Sequence, residues 1–141
     1  MQIKAAHSRV KLLMPSMREK SRYVAFEIIT QNNRKIGFSE FSRSFSQRFM
    51  ELAGEIEYAK ANPYLMPDNF DEQLQRGIIR IERSYVELLK AALCTMKSIQ
   101  TNGSSVPYGN NIIVKSIITS GSIRKAKERI KEKIKKREEV K

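Results

Sequence analysis

The spacing of apolar and polar positions divides the chain into strand-like and helix-like stretches. Residues 23–29, Tyr-Val-Ala-Phe-Glu-Ile-Ile, are rich in β-branched and aromatic side chains and predict a strand. Val24, Phe26 and Ile28 share one of its faces by the period of two. Residues 32–35 form a loop that Gly37 closes. Ser39 is a candidate N-cap, and Phe41, Phe45, Phe49, Leu52 and Ile56 follow at near-helical spacing, with Gly54 a candidate stop. Residues 57–66 have no clear period, and Pro63 argues for an edge strand there. A polar loop over 68–76 leads into a second strand, Gly77-Ile78-Ile79-Arg80-Ile81. Ser84 and Glu87 have the spacing of a capping box for a helix reaching about Ile99, with Tyr85, Leu89, Leu93, Met96 and Ile99 inward. Turn residues fill 102–111, and the apolar run from Ile112 to Thr119 predicts the last strand. Residues 123–139 predict a helix with a narrow apolar stripe (Ile123, Ala126, Ile130, Ile134) and the surface pairs Glu128–Lys131 and Glu132–Lys136. A helix this polar is expected to project from the domain or to lie on a partner.

The order β-α-β-β-α-β plus a final helix is the pattern of an α+β, ferredoxin-like sandwich with an antiparallel four-stranded sheet, as in RNA-recognition motifs. The organisation expected is a basic arm (1–22), a βαββαβ domain (23–122) and a basic helix (123–141). Two helices would cover one sheet face and leave Tyr23, Glu27, Ile78 and Arg80 on the other. Tyr23, Ile78 and alternate residues of 112–118 make that face more apolar than a solvated one, which predicts a partner interface at Tyr23, Ile78 and Arg80.

Composition adds the class of partner to this outline, and only through charge. A chain of 141 residues is one domain's worth, and 40% hydrophobic against 30% charged residues excludes wholesale disorder. A single cysteine cannot build a disulfide framework. No apolar run approaches the roughly 18 residues that span a bilayer, so a soluble, cytoplasmic protein without membrane contact is expected. The net charge is +12 and is segregated. Residues 1–22 hold six Lys/Arg and one Glu, and residues 124–141 hold ten Lys/Arg and four Glu, whereas the middle has eleven against ten acids. A nearly neutral core with two basic ends points to a polyanion, of which nucleic acid is the commonest.

Arg18, Lys20 and Arg22 lead into the first strand and would line up on one side of an extended segment, as a phosphate backbone requires. Ser120-Gly121-Ser122 joins the last strand to the last helix. Gly121 permits a tight backbone there, either serine can cap, and the free helix N–H groups make a natural phosphate site, to which Arg124, Lys125 and Lys127 add charge. If the first and last strands pair antiparallel, both basic groups fall at one end of the sheet. Base readout is the weaker expectation. Residues 77–85 have no aromatic before Tyr85, and Tyr23 is the only candidate stacker on the first strand. Catalytic sets are missing: His7 is the single histidine. Cys94 is read as a buried structural thiol, and Asp68, Asp71 and Glu72 as a solvated loop. No nucleotide-binding glycine loop is present, and no cofactor is expected on the chain.

Three stretches carry a resemblance. Leu13-Met14-Pro15-Ser16-Met17-Arg18-Glu19-Lys20-Ser21-Arg22-Tyr23-Val24-Ala25-Phe26-Glu27 resembles the opening of the ribonuclease P protein component 2 family of archaea, which has a eukaryotic relative. Gly77-Ile78-Ile79-Arg80, followed by Ser84-Tyr85 and Ala91-Ala92-Leu93, is similar to its central block. Ser120-Gly121-Ser122-Ile123-Arg124-Lys125 is similar to its closing motif, with Thr119 in place of Val and Ser122 in place of Thr. The resemblance spans residues 12 to about 130, and the 101–111 loop and the tail after 130 look longer than the family's. It implies a non-catalytic subunit of the RNA-based endonuclease that removes 5′ leaders from precursor tRNA. The RNA would do the chemistry with Mg²⁺, and this chain would bind ribonuclease P RNA and pair with protein component 3.

Overall fold

A computed structural model describes residues 14, 20–31, 34–99 and 110–140. Strand β1 (Ser21–Thr30) is central in a five-stranded antiparallel sheet of order β2-β3-β1-β5-β4. The other strands are β2 (Tyr64–Leu65), β3 (Arg76–Glu82), β4 (Ser98–Ile99) and β5 (Asn110–Ser120). With β4 set aside as a two-residue edge, the order is that of the expected βαββαβ sandwich. Val24, Ala25 and Phe26 are all fully buried, so β1 is covered on both faces.

The inner face carries helices α1 (Phe38–Ala53) and α3 (Val86–Thr95), with a short α2 (Glu55–Ala61) between them in sequence. Phe41, Phe45 and Phe49 form the buried row of α1, and Phe26 stacks on Phe41 at 4.8 Å between ring centroids. Gly77 lies directly opposite Phe26, whose ring folds over it. Val24, Ile28, Ile79, Ile81, Leu89 and Leu93 are among the other residues of this core.

Several local expectations are corrected. Helix α1 starts from Gly37, not Ser39, and no side chain caps it. Gly54 ends it at φ +83 and at once starts α2, so the spacing stops there: Leu52 and Ile56 are exposed. Residues 57–66 therefore begin helical, and only Tyr64 and Leu65, past Pro63, form the edge strand. The capping box does not form. The Glu82 carboxylate accepts from the Ser84 N–H at 2.8 Å, a 3-10 turn (Arg83–Tyr85) follows, and Glu87 pairs with Lys90 instead. Tyr85 is only half-buried and donates to Glu57. Helix α3 stops at Thr95, and Ile99 is buried from β4. Cys94 is exposed, because Val86, Leu89, Ala92 and Leu93 take the inner side of α3.

The largest correction concerns α4 (Ile123–Glu139), which neither projects nor waits for a partner. It lies on the outer face of the sheet. Ala126 is fully buried against Ala25 and Ile78, and Ile123 and Ile130 pack beside Tyr23, Ile117 and Ile118. Ile78 is 2% exposed, so it belongs to a second core and offers no surface to another protein. Arg137 pairs with Glu27 at 3.0 Å, and Lys133 donates to the Ile117 carbonyl at 2.5 Å. Of the expected helix-surface pairs, Glu128–Lys131 and Glu132–Lys136, neither forms among the described residues; Glu128 pairs with Arg124 instead, at 3.1 Å. Along its outer side β5 meets β4 only at Asn110 and Asn111. Past the bond from Ile112 N–H to the Lys97 carbonyl, no strand among the described residues covers that edge. One residue of β5 is bulged where Ala25 faces Ile118 and Phe26 faces Ser116.

Candidate nucleic-acid interface

Strands β1 and β5 pair antiparallel with Tyr23 opposite Ser120, so the start of the first and the finish of the last meet at one end of the sheet. The Arg22 guanidinium reaches across that end. It donates to the Ser21 carbonyl at 2.9 Å and lies against Gly121, where an added Cβ would sit 3.8 Å from its Nη1. Gly121 is thus a point of approach for Arg22. Its φ is not left-handed, so the tight backbone expected there is not what sets it apart.

The serines on either side fix the turn. Ser120 is 7% exposed and its hydroxyl accepts from the Ser122 N–H; the Ser122 hydroxyl accepts from the Lys125 N–H, both at 3.3 Å. Ser122 is therefore the cap of α4. Lys20 is exposed and its carbonyl accepts from the Arg83 N–H at 2.8 Å, which brings the exposed Arg83 to the same end. Arg124 and Lys125, in the first turn of α4, are exposed beside the cap.

Lys20, Arg22, Ser120, Gly121, Ser122, Arg124 and Lys125 thus share one end of the molecule. Lys127 does not join them. It lines a groove of about 230 Å³ between α4 and the 69–78 segment, with Ile130 and Ile134. Arg18 lies outside the described residues. Lys131 lines that groove with Lys127, and because α4 runs back over the sheet its other cations continue as an exposed stripe, with Arg129, Lys135 and Lys136.

Of the partner-interface residues, Ile78 is covered, whereas Tyr23 and Arg80 are half-buried and face each other in the β1–β3 register. Two residues that the sequence pattern does not single out belong with them. Tyr64 on β2 is opposite Arg80, and its ring lies under the Arg80 guanidinium at 5.3 Å. The available signal is Tyr64 directly after Pro63, an aromatic on a candidate edge strand. The other is Arg83, the cation closing the second strand.

Among the described residues, no group of three His, Cys, Asp or Glu could hold a metal ion. Asp71 is used by its own turn, accepting from the Gln73 and Leu74 N–H groups at 2.9 and 3.1 Å. Among the described residues, no helix is long and apolar enough to cross a membrane.

The model of the Rpp14/Pop5 family matches residues 22–131. The chain is 34% identical over 119 residues to ribonuclease P protein component 2 of Pyrococcus furiosus, covering 84% of this chain and 89% of that one. It is 35% identical over 118 residues to the protein of the same name from Methanocaldococcus jannaschii, covering 84% and 78%. A chain in a cryo-EM structure of yeast ribonuclease MRP shares the fold, with a TM-score of 0.56 and 12% identity over 84% of this chain and 96% of that one.

Proposed function

Because the chain belongs to the Rpp14/Pop5 family, we propose that it is the component 2 protein subunit of a ribonuclease P, holding the RNA that cleaves precursor tRNA. The observation that carries the RNA-binding part is the β1–β5 pairing, which sets the Arg22 guanidinium against the capped start of α4. Lys20 and Arg22, far in sequence from Arg124 and Lys125, share one cationic end with them, joined to the stripe along α4. Such a surface neutralises phosphates and reads the shape of folded RNA. The Mg²⁺ of the reaction would sit on the RNA. Protein component 3 is the partner the family suggests, and with Ile78 covered by α4 its surface would lie away from that residue. The setting would be the cytoplasm.

The test is affinity for ribonuclease P RNA against salt for Arg22→Ala, Arg124→Ala and the pair. Removal of one phosphate contact should reduce the slope of log K on log salt by roughly 0.7–0.9. Unchanged slopes in all three variants would move the RNA surface away from this end, to the stripe beyond Lys131. In parallel, reconstituted cleavage of precursor tRNA with and without the chain checks the subunit assignment; equal activity in both would reject it.

A further inference from the structure

Directly paired residues of neighbouring strands point to the same face of a sheet. The registers Tyr64↔Arg80, Arg80↔Tyr23 and Tyr23↔Ser120 therefore set four side chains in one row across β2, β3, β1 and β5. The neighbours of Arg80, Ile79 and Ile81, are in the inner core, so the row lies on the outer face. It lies beside the first turn of α4, where Ile123 and Tyr23 pack in the same cluster.

The chemistry of this row is specific. Tyr64 is 46% exposed, and Tyr23 and Arg80 are half-buried. The guanidinium is held over the Tyr64 ring. Among the described residues, no carboxylate pairs with Arg80. Glu82, two residues along, is occupied by the Ser84 N–H and hydroxyl. Glu27 is taken up at the other end of the sheet by Arg76 and Arg137. An unneutralised guanidinium plane between the exposed Tyr64 ring and the half-buried Tyr23, beside the Arg22 and Arg124 cations, suits a flat, electron-rich group that carries an anion: a nucleobase with its phosphate.

We propose that Tyr64, Arg80 and Tyr23 form a stacking platform for an unpaired RNA nucleotide, the base lying on the Tyr–Arg–Tyr row and its phosphate facing the Arg22 and α4 end. The inference rests on the RNA-binding reading above and adds a single-stranded element to it. Stacking accepts any base, since each has a π-face, and it does not depend on counterion release. The platform and the phosphate surface therefore differ in their response to salt.

The experiment compares binding of a single-stranded oligo(A) of about ten nucleotides, within the footprint usual for such sites, with binding of an RNA duplex of equal length. Tyr64→Ala should weaken the single strand about tenfold, leave the salt slope unchanged and leave the duplex unaffected. Tyr64→Phe should bind like the parent. Arg80→Lys, which keeps the charge and loses the plane, should weaken the single strand at an unchanged slope. Full affinity for oligo(A) in Tyr64→Ala overturns the platform. So does an equal reduction for strand and duplex. If Arg22→Ala and Arg124→Ala still lower the slope in either case, the phosphate surface stands without the platform. Should Tyr64→Ala not fold, Tyr64→Leu keeps apolar bulk on the edge strand without a ring and is read by the same two comparisons.

Discussion

Replacing Gly77 by alanine tests whether the core is packed as described. Gly77 pairs with Phe26 in the β1–β3 register. A Cβ at 77 would lie 2.7 Å from Phe26 Cζ, 3.0 Å from Phe26 Cε1 and 3.0 Å from Phe70 Cδ2. Carbon atoms in contact rest about 3.5–4.0 Å apart, so a ring must move by the better part of an ångström. The Phe26 ring has nowhere to go, since it is fully buried and stacked on Phe41 at 4.8 Å. Overpacking of this kind costs about 1–3 kcal/mol. The stiffer unfolded chain offsets roughly 0.4–1 kcal/mol of that, leaving a net destabilisation of about 1–2 kcal/mol. For a domain of this size that lowers Tm by roughly 4–10 °C. The assay is thermal and urea unfolding followed by circular dichroism. Gly121→Ala is the control, since its nearest neighbour is 3.8 Å away, and it should stay within about 0.5 kcal/mol of the parent. In a Phe26→Leu background the penalty of Gly77→Ala should shrink, a coupling of at least about 0.5 kcal/mol. A Tm within about 1 °C of the parent, or a penalty that persists after Phe26→Leu, would refute the packing argument.

Two further outcomes are expected. Ala126→Asp places a carboxylate in the apolar cluster between Ala25 and Ile78; α4 should undock and lose helicity, as an isolated helix of this length is marginal in water. Hydrogen exchange should then accelerate in α4 and not in β1 or β3; unchanged protection of α4 would contradict the docking. The hydrogen bond from Tyr85 holds the Glu57 carboxyl below the usual carboxylate range, with Lys60 assisting, and Glu57 raises the Tyr85 phenol. The Glu57 contribution is therefore complete above the ordinary carboxylate pKa and disappears as pH falls through the depressed one. The Tyr85 contribution is complete below the ordinary phenol pKa and disappears as pH rises through the raised one. In Tyr85→Phe, NMR titration should show Glu57 moving up toward its ordinary value, and an unmoved Glu57 would remove the bond from the account.

The three long strands are legible in the sequence because their β-branched runs carry the pattern within themselves. The short ones are less so. Ser98 and Ile99 are a strand only because β5 lies alongside, and α2 buries Ala61 alone, too little for a period to register. Both basic groups of the site are visible in composition, and their meeting follows from one pairing rule. The apolar stripe of α4 is equally visible, but its destination is not. Ala25, Ile78 and the Ile123–Ala126–Ile130 stripe are two unpartnered apolar surfaces on one chain, and the small Ala25 and Ala126 let them close on each other. Tyr64 escapes a sequence reading because the facing of an edge strand two residues long is set by its partner's register, not by its own sequence.

The edge of β5, which no strand among the described residues covers past Ile112, carries a liability that α4 restrains. The run from Ile112 to Ile118 has one charge, Lys115, and an unprotected strand edge of that composition is a template for aggregation. The chain's gatekeepers are tertiary as well as local. The bulge beside Ile117 interrupts the ladder, and Lys133, reaching over from α4, occupies the Ile117 carbonyl that an incoming strand would seek. Colloidal behaviour in this protein is thus a property of helix docking. A chain truncated before Lys133 loses that carbonyl guard along with half of α4, and is expected to aggregate more as its concentration rises even where the inner core remains folded.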